Sequence, residues 1–328
     1  MRVLYIGGTG IISSACAELA LERGIDLHLL VRGQSPRPVP RGAKVLHGDI
    51  RDPTSARQAL GQLTFDAVVS FISFLPEQVQ ADVELFGGRT AQYIFISSAS
   101  AYKTPVDNWP ITESTPLHNP YWQYSRDKIA CEELLIRAWR TEGFPATIVR
   151  PSHTYDRTLL PFDPYRSGYT VLHRLRQGKP VVVHGDGTSL WVLTHSRDFA
   201  RGFVGLLAHP KAIGETFHIT SDEVLTWNEI FGCVARAAGV TPRLVHVPSD
   251  LIAREHAAWG AGLLGDKTHS VIFDNTKIKR FVPEFKATIP FARGAEEIVD
   301  FYARNPTFEP VDPAVDALMD RLVERFSV

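Results

Sequence analysis

The chain has 328 residues, of which 44% are hydrophobic, and its 35 basic and 36 acidic side chains give a formal net charge of −1. The hydrophobic share excludes an intrinsically disordered chain, and the balanced charge lacks the electrostatic footprint of a general nucleic-acid binder. At about 150 residues per domain, the length allows one large domain or two ordinary ones.

Cysteine and histidine are too dispersed to indicate a metal site or a disulfide framework. Cys16, Cys131 and Cys233 lie far apart and form no CxxC pair, and the twelve histidines form no HxxxH or HxH pair. Isolated cysteines are typical of a reducing compartment. No apolar run approaches the roughly 18 residues that span a bilayer. We therefore expect a cytoplasmic protein with no bound metal and no membrane contact.

The first half of the chain alternates short apolar runs with helical patterns. The predicted strands are 3–6, 27–31, 44–47, 67–71, 93–97 and 147–149, and the predicted helices are 14–23, 54–63, 77–86 and about 123–141. Strands separated by helices of this size indicate βαβ units and a parallel sheet with both faces covered. The pattern predicts an α/β fold with a doubly wound parallel sheet.

This alternation ends after Arg150-Pro151, where prolines and glycines interrupt the pattern. Later elements are predicted as helices at 199–208, 227–238, 291–304 and 313–326 and as strands at 216–219 and 243–247. We expect residues 1–155 to form a dinucleotide-binding domain, with 190–222 returning to its sheet. Residues 156–328 would form most of a smaller, discontinuous α/β substrate domain.

A glycine-rich turn lies between the first strand and the first helix. Its sequence is GGTGIIS, residues 7–13. Glycines here permit a tight turn and let backbone N–H groups approach a pyrophosphate at the helix N-terminus. We therefore predict a dinucleotide site, whose contacts include Gly7, Thr9, Gly10, Ile11 and Ile12.

The ends of the second and third strands bear on the choice of dinucleotide. An enzyme selective for NAD usually places an acidic residue at the end of the second strand, whereas this chain has Arg32. An arginine there is suited to a 2′-phosphate, so NADP is favoured over NAD. Asp49 and Ile50 follow the third strand, where the carboxylate either accepts from an adenine amino group or caps a turn.

Ser98, Tyr124 and Lys128 form a candidate catalytic set. A spacing of four places Tyr124 and Lys128 on one helix face, so the ammonium can lie near the phenol and lower its pKa. Ser98, at the end of the fifth strand, can hydrogen-bond the same substrate oxygen. Together the three side chains can move a proton on a hydroxyl while a nicotinamide takes hydride from the same carbon.

These motifs resemble the extended short-chain dehydrogenase/reductase family, of the NAD-dependent epimerase/dehydratase type. The resemblance rests on GGTGxxS, on Ile96-Ser-Ser-Ala-Ser-Ala-Tyr102, on YxxxK, on Arg150-Pro151 and on His195-Ser-Arg-Asp198-Phe-Ala, in the family's order over about residues 1–240. It implies a Rossmann-type fold, Ser98, Tyr124 and Lys128 as catalytic residues, and cofactor contacts from Lys128, Pro151 and His153. It also implies a nucleotide-sugar substrate and a homodimer.

The segment after Ser98 discriminates among members of this family. The family's 4,6-dehydratases and decarboxylases carry carboxylates where this chain has Ala99 and Ser100. The resemblance is therefore closer to 4-epimerases of the UDP-galactose type, and it is also compatible with NADPH-dependent ketoreductases.

The expected diphosphate contacts differ from those of the epimerases. Trp191 replaces an arginine before His195, and the paired arginines before Gly265-Asp266 are missing. A diphosphate would need other cations, such as Lys267 or Arg174. We expect Ser100, His153, Trp191 and Lys267 to contact the substrate.

Three functions follow from these patterns. The first is a nucleotide-sugar epimerase acting through a transient 4-keto intermediate, with Tyr124 as the base. The second is an NADPH-dependent ketoreductase of a sugar or another small carbonyl compound. The third comes from the segment 185–198, which resembles the RNA-associated chloroplast stem-loop-binding proteins. The Tyr124/Lys128 pair and the near-neutral charge argue against the RNA-binding function.

Overall fold

A computed structural model describes residues 1–162 and 167–326. The strands are β1 (Arg2–Ile6), β2 (Asp26–Val31), β3 (Lys44–His47), β4 (Ala67–Ser70), β5 (Tyr93–Ile96), β6 (Ala146–Pro151), β7 (His153–Tyr155), β8 (Val181–His184), β9 (Leu190–Trp191), β10 (Leu193–His195), β11 (Thr216–Ile219), β12 (Leu225–Thr226) and β13 (Leu244–Val247). The helices are α1 (Ile11–Glu22), α2 (Pro53–Leu60), α3 (Pro76–Phe86), α4 (Gln123–Glu142), α5 (Gly168–Arg176), α6 (Ser196–Val204), α7 (Trp227–Ala237), α8 (Ser249–Glu255), α9 (Ala257–Gly262), α10 (Thr276–Phe281), α11 (Phe291–Arg304) and α12 (Pro313–Phe326).

The central sheet has seven strands in the order β11-β6-β5-β4-β1-β2-β3, and every neighbouring pair is parallel. The side chains of β1 alternate between two cores, as the strand period of two requires. Val3 and Tyr5 pack with α1 and α6, whereas Leu4 and Ile6 pack with α2, α3 and α4. Both faces of the sheet are thus covered by helices, which confirms the predicted doubly wound, Rossmann-type α/β fold.

Residues 216–219 return to the sheet as β11, which pairs with β6. A third hydrophobic core lies beyond the sheet and joins α5, α7, α11 and α12 to the β8–β13 pair. Two further strand pairs lie between the central sheet and the third core. β7 pairs with β10 in parallel, and β9 pairs with β12 antiparallel. These short pairs place His153 and Trp191 close to the carboxyl end of β6.

Side-chain caps explain where two of the helices begin. Asp52 caps α2 by accepting a hydrogen bond from the Thr54 amide at 2.9 Å, with Pro53 as the first helical residue. Helix α6 begins three residues before its predicted start, because the His195 Nδ1 atom accepts from the Arg197 amide. The predicted helices and strands are all present. The bounds of β3, β11, α11 and α12 are those predicted, and the other elements differ by one to four residues at one or both ends.

The sequence did not predict several short elements in the second half, including α5, α8, α9 and α10. They have six to nine residues each, too few for a clear period of 3.6. Gly168, for example, begins α5 at a place where a Cβ atom would lie 2.7 Å from the Leu160 Cβ atom. Such elements depend on tertiary packing.

Within the described residues, no helix combines the length and the apolar character needed to cross a membrane.

Candidate active site

The glycine-rich turn brings the backbone of β1 directly to the N-terminus of α1. Gly7 has a φ of +80°, a conformation that L side chains rarely adopt. A Cβ atom at Gly8 would lie 2.7 Å from a Leu29 methyl carbon, so a larger residue would force the buried Leu29 side chain to shift. Gly10 is the N-cap of α1, followed by Ile11. The three glycines therefore add no side chain of their own at the helix N-terminus, which fits a pyrophosphate.

One cleft, with a volume of about 550 Å³, lies at the carboxyl ends of β1, β2 and β3. The predicted cofactor residues that line it are Gly7, Thr9, Arg32, Asp49 and Ile50. Arg37 and Arg51 line it as well, and sequence analysis did not single them out. The Arg37 guanidinium donates to Asp156 at 2.7 Å, and Arg51 donates to the Ile72 carbonyl. This wall of the cleft is therefore basic.

A second cleft, with a volume of about 620 Å³, holds most of the other predicted site residues. They come from six separate segments and are Ile12, Ser98, Ser100, Tyr124, Pro151, His153, Trp191 and Lys267. Phe74 lines both clefts, which makes them neighbours. The first cleft, which suits a dinucleotide, therefore lies next to the second cleft, which contains the candidate catalytic hydroxyls.

Ser98 is held by a chain of hydroxyl groups. Its Oγ atom lies 2.9 Å from the Ser100 Oγ atom and accepts from the Ser100 amide at 3.2 Å. Ser125, on α4, donates to the Ser100 Oγ atom at 2.8 Å. The Asn119 side-chain amide donates to the Ser100 carbonyl at 2.9 Å. Ser98 is therefore positioned before any ligand binds.

Tyr124 is half-buried, and desolvation of its hydroxyl raises its pKa to about 12, although hydrogen bonding from Ser98 opposes the rise. The prediction that Lys128 lowers this pKa is wrong, because the net shift is upward and the group that opposes it is Ser98. The Lys128 Nζ atom lies 5.9 Å from the Tyr124 ring centroid and donates to the carbonyls of Ser73 and Ile96, each at 2.8 Å. The phenol is therefore protonated at neutral pH.

Lys128 is buried between the rings of Phe74 and Phe95, each 4.6 Å from its Nζ atom. Burial lowers its pKa from the ordinary value of 10.5 to about 8. Two backbone carbonyls stabilise its charged form, and one ammonium N–H remains for a further acceptor.

This depressed pKa predicts a pH dependence of stability. Between about pH 8 and pH 10.5 the unfolded chain holds a proton on Lys128 that the folded chain has lost, so unfolding becomes harder as pH rises. The contribution is complete above pH 10.5 and disappears as pH falls through 8. We expect the free energy of unfolding of the wild type, relative to Lys128→Met, to increase across this window in urea titrations. A constant difference would show that the Lys128 pKa is not depressed.

Sequence analysis missed Asp266 as a site residue. It lies in a π turn, Leu263–Lys267, and lines the second cleft. Burial raises its pKa, and its charge raises the pKa of Tyr124, so the two groups lie close enough to interact. The Lys267 Nζ atom lies 3.4 Å from its Oδ2 atom. The Gly265-Asp266 pair was visible in the sequence, but only the fold brings it to Tyr124.

His153 and Trp191 contact each other in this cleft. The Trp191 Nε1 atom donates to the His153 Nδ1 atom at 3.2 Å. Burial and the nearby Lys267 charge lower the His153 pKa to about 3, so the imidazole is neutral at physiological pH. Trp191 also packs against Trp227, with ring centroids 5.3 Å apart.

Arg174 is not a diphosphate ligand. Its side chain is buried in the third core region, where it contacts Asp316 at 2.5 Å and Asp320 at 2.7 Å. Across residues 1–162 and 167–326, no group of three or more His, Cys, Asp and Glu side chains is arranged to hold a metal ion.

Known proteins that are similar to this chain differ in their activities. A chloroplast stem-loop binding protein of 41 kDa b from Arabidopsis thaliana is 28% identical over 259 residues, which cover 75% of this chain and 65% of the plant protein. A 2′-dehydrokanamycin reductase from Streptomyces kanamyceticus is 26% identical over 289 residues, covering 87% of this chain and 80% of that enzyme. This chain therefore matches about two thirds of the length of the Arabidopsis protein.

The fold is also similar to solved structures. A UDP-glucuronic acid 4-epimerase from Bacillus cereus, in complex with UDP-glucuronic acid and NAD, matches with a TM-score of 0.73 at 18% identity, over 93% of this chain and 100% of that one. The family described as the NAD dependent epimerase/dehydratase family matches residues 3–220. The prediction of an NAD(P)-dependent enzyme of the extended short-chain dehydrogenase/reductase type is confirmed at the level of the family. This chain belongs to the NAD dependent epimerase/dehydratase family.

Proposed function

We propose that this protein is an NADPH-dependent reductase that converts a ketone on a small ring-shaped substrate to a secondary alcohol. The observation that carries the proposal is the position of Tyr124. Its protonated hydroxyl lines the second cleft beside Ser98, next to a basic cleft suited to a dinucleotide.

The chain's own groups suit the reductive direction. A phenol with a pKa of about 12 holds its proton at neutral pH, so Tyr124 can donate that proton to the substrate oxygen as it gains negative charge. Ser98 hydrogen-bonds the same oxygen and orients it. When bound, the nicotinamide supplies the hydride to the carbonyl carbon. The free N–H of Lys128 would hold a ribose hydroxyl of the dinucleotide.

Three arginines in the first cleft support NADP over NAD. Arg32, Arg37 and Arg51 line it, and the Arg32 side chain is 59% exposed, with its nearest carboxylate, Asp49, at 3.9 Å. Arg37 and Arg51 already have short protein partners, whereas among residues 1–162 and 167–326 Arg32 has none closer than that long ion pair. A 2′-phosphate would find in Arg32 a bidentate donor with little competition.

We therefore expect Arg32→Asp to weaken NADPH binding by about tenfold or more and NADH binding far less, because only NADPH carries the phosphate. Dissociation constants of both cofactors, measured by calorimetry, check this. Arg41→Asp makes the same charge change at an exposed residue outside the lining of the cleft and should leave both affinities close to wild type. If Arg32→Asp lowered the affinities for NADH and NADPH equally, Arg32 would not recognise the 2′-phosphate.

The charge of the second cleft favours reduction of an uncharged substrate over a nucleotide sugar. Among the described residues that line it, Lys267 is the one lysine or arginine, and Asp266 already pairs with it. His153 is neutral. A diphosphate would enter without an unpaired cation, at a considerable desolvation penalty. The similarity to 2′-dehydrokanamycin reductase over most of both chains supports reduction of a carbonyl group over epimerisation of a nucleotide sugar.

A nucleotide-sugar 4-epimerase, acting through a 4-keto intermediate, is the second candidate. The family assignment and the carboxylate-free segment Ala99-Ser100 support it. An epimerase keeps its dinucleotide between half-reactions, whereas a reductase must release it. Protein purified without added cofactor and then denatured should release no NAD(P), and it should oxidise NADPH steadily with a ketone substrate. Stoichiometric bound dinucleotide with no net oxidation would favour the epimerase.

The relation to a stem-loop binding protein does not lead us to propose RNA binding. The net charge of −1 offers little neutralisation of phosphates. RNA affinity that fell steeply with salt would reverse this conclusion.

A further inference from the structure

We propose that the Asp266–Lys267 pair anchors the hydroxyl groups of an uncharged carbohydrate ring in the second cleft. The cleft would thereby select a glycoside-like ketone without a diphosphate. This inference rests on the proposed reductase function and names the substrate class of the same site.

The π turn that carries the pair is held firmly in place. The Lys267 carbonyl accepts from His184 Nε2 at 3.0 Å and from Trp227 Nε1 at 3.2 Å. The Gly265 carbonyl accepts from the Asn119 side-chain amide at 2.6 Å. The same amide donates to the Ser100 carbonyl, and Ser100 in turn hydrogen-bonds Ser98. Asn119 therefore sets the position of the pair relative to the candidate catalytic hydroxyls.

The pair retains hydrogen-bonding capacity that a ligand can use. The hydrogen bond within the pair joins Lys267 Nζ to Asp266 Oδ2 at 3.4 Å, which is long for a hydrogen bond between charged groups. The Lys267 ammonium has three N–H groups, and within the described part of the chain Asp266 accepts one of them. The side chains of Asp266 and Lys267 are only 20% and 11% exposed. Water reaches them poorly, so a ligand that supplies the missing partners is favoured.

Carbohydrate hydroxyls match this arrangement because each donates and accepts. One ring hydroxyl can donate to the Asp266 carboxylate while a neighbour accepts from Lys267. A diphosphate accepts only, so it would satisfy Lys267 but face the Asp266 carboxylate with the same sign of charge. The opposed charges of the pair thus favour a polyol over an anion.

Aromatic rings complete the carbohydrate-like character of the cleft. Trp122, Trp191 and Trp259 all line it. The Lys267 Nζ atom lies 5.6 Å from the Trp122 ring centroid and 6.0 Å from that of Trp191, so these rings help to hold the ammonium in the cleft. Flat apolar surfaces beside a few convergent polar groups suit the apolar C–H faces and polar edges of a sugar ring.

The test is binding, measured by calorimetry on the NADP-loaded protein, with methyl β-glucoside as the uncharged probe and UDP-glucose as the anionic probe. We expect the wild type to bind the glucoside, and Asp266→Asn and Lys267→Gln each to weaken this binding by about tenfold. The double variant should lose less than the product of the two single losses, because each group serves the same ligand. Asp300→Asn and Arg304→Gln alter an exposed ion pair on α11 and serve as controls.

Several outcomes overturn the inference. They are no measurable glucoside binding to the wild type, unchanged binding by Asp266→Asn, or tighter binding of UDP-glucose that Lys267→Gln abolishes. If Asp266→Asn fails to fold, Lys267→Gln carries the same test. Glucoside binding that depends on the pair, without NADPH oxidation on any ketone, would refute the proposed reductase function and leave this inference standing.

Discussion

Replacing Tyr124 by phenylalanine is expected to lower turnover by about 10²- to 10⁴-fold while leaving dinucleotide affinity nearly unchanged. The change removes the hydroxyl that lies beside Ser98 in the second cleft and keeps the ring that packs against Trp122, 4.9 Å away between centroids. Lys128 keeps its two backbone acceptors, because neither is a Tyr124 atom. The lower turnover should therefore come from slower proton transfer and not from weaker dinucleotide binding.

The measurement is NADPH oxidation with a ketone substrate, combined with calorimetric titration of NADPH. Tyr121→Phe is the matched control, since this tyrosine is 44% exposed and precedes α4 by two residues. It should retain full activity. Activity of Tyr124→Phe close to that of the wild type would mean that another group transfers the proton, and Asp266 would then be the first side chain to replace.

Replacing Glu132 by alanine is expected to destabilise the fold by about 3–5 kcal/mol. The Glu132 side chain is fully buried on α4 and accepts from Arg150 Nε at 2.9 Å, from another Arg150 nitrogen at 2.5 Å and from Ser97 Oγ at 2.5 Å. Without Glu132, the Arg150 guanidinium stays buried against the Tyr102 ring with an uncompensated charge. The cost of keeping this unpaired charge away from water is the main cause of the lower stability.

Urea unfolding followed by circular dichroism measures the loss as a change in the free energy of unfolding. Asp300→Ala breaks an exposed ion pair with Arg304 and should cost less than about 1 kcal/mol. Replacing Glu132 and Arg150 together by leucine and methionine should recover much of the stability, because no unpaired charge remains. A loss below about 1 kcal/mol for Glu132→Ala would show that Arg150 finds other compensation.

The amino-acid sequence alone predicted the fold and the core of the candidate site. The GGTG turn, the strand-and-helix alternation and the Tyr124–Lys128 spacing are local patterns, and local geometry follows from them. The glycines at 7 and 8 are required by a positive φ and by contact with Leu29, both set within one βα unit. Ser98 and Pro151 meet because the parallel strands β5 and β6 end at one edge of the sheet, and Tyr124 joins them from the first turn of α4.

Only the tertiary structure decided the electrostatics of the site and its substrate wall. The Tyr124 pKa rises rather than falls because burial and the direction of the Lys128 ammonium outweigh their spacing along the helix. Asp266 enters the cleft, and Arg174 is withdrawn from it, through contacts between segments far apart in the chain. Burial and long-range contact depend on the whole packed chain, so no local pattern predicts them.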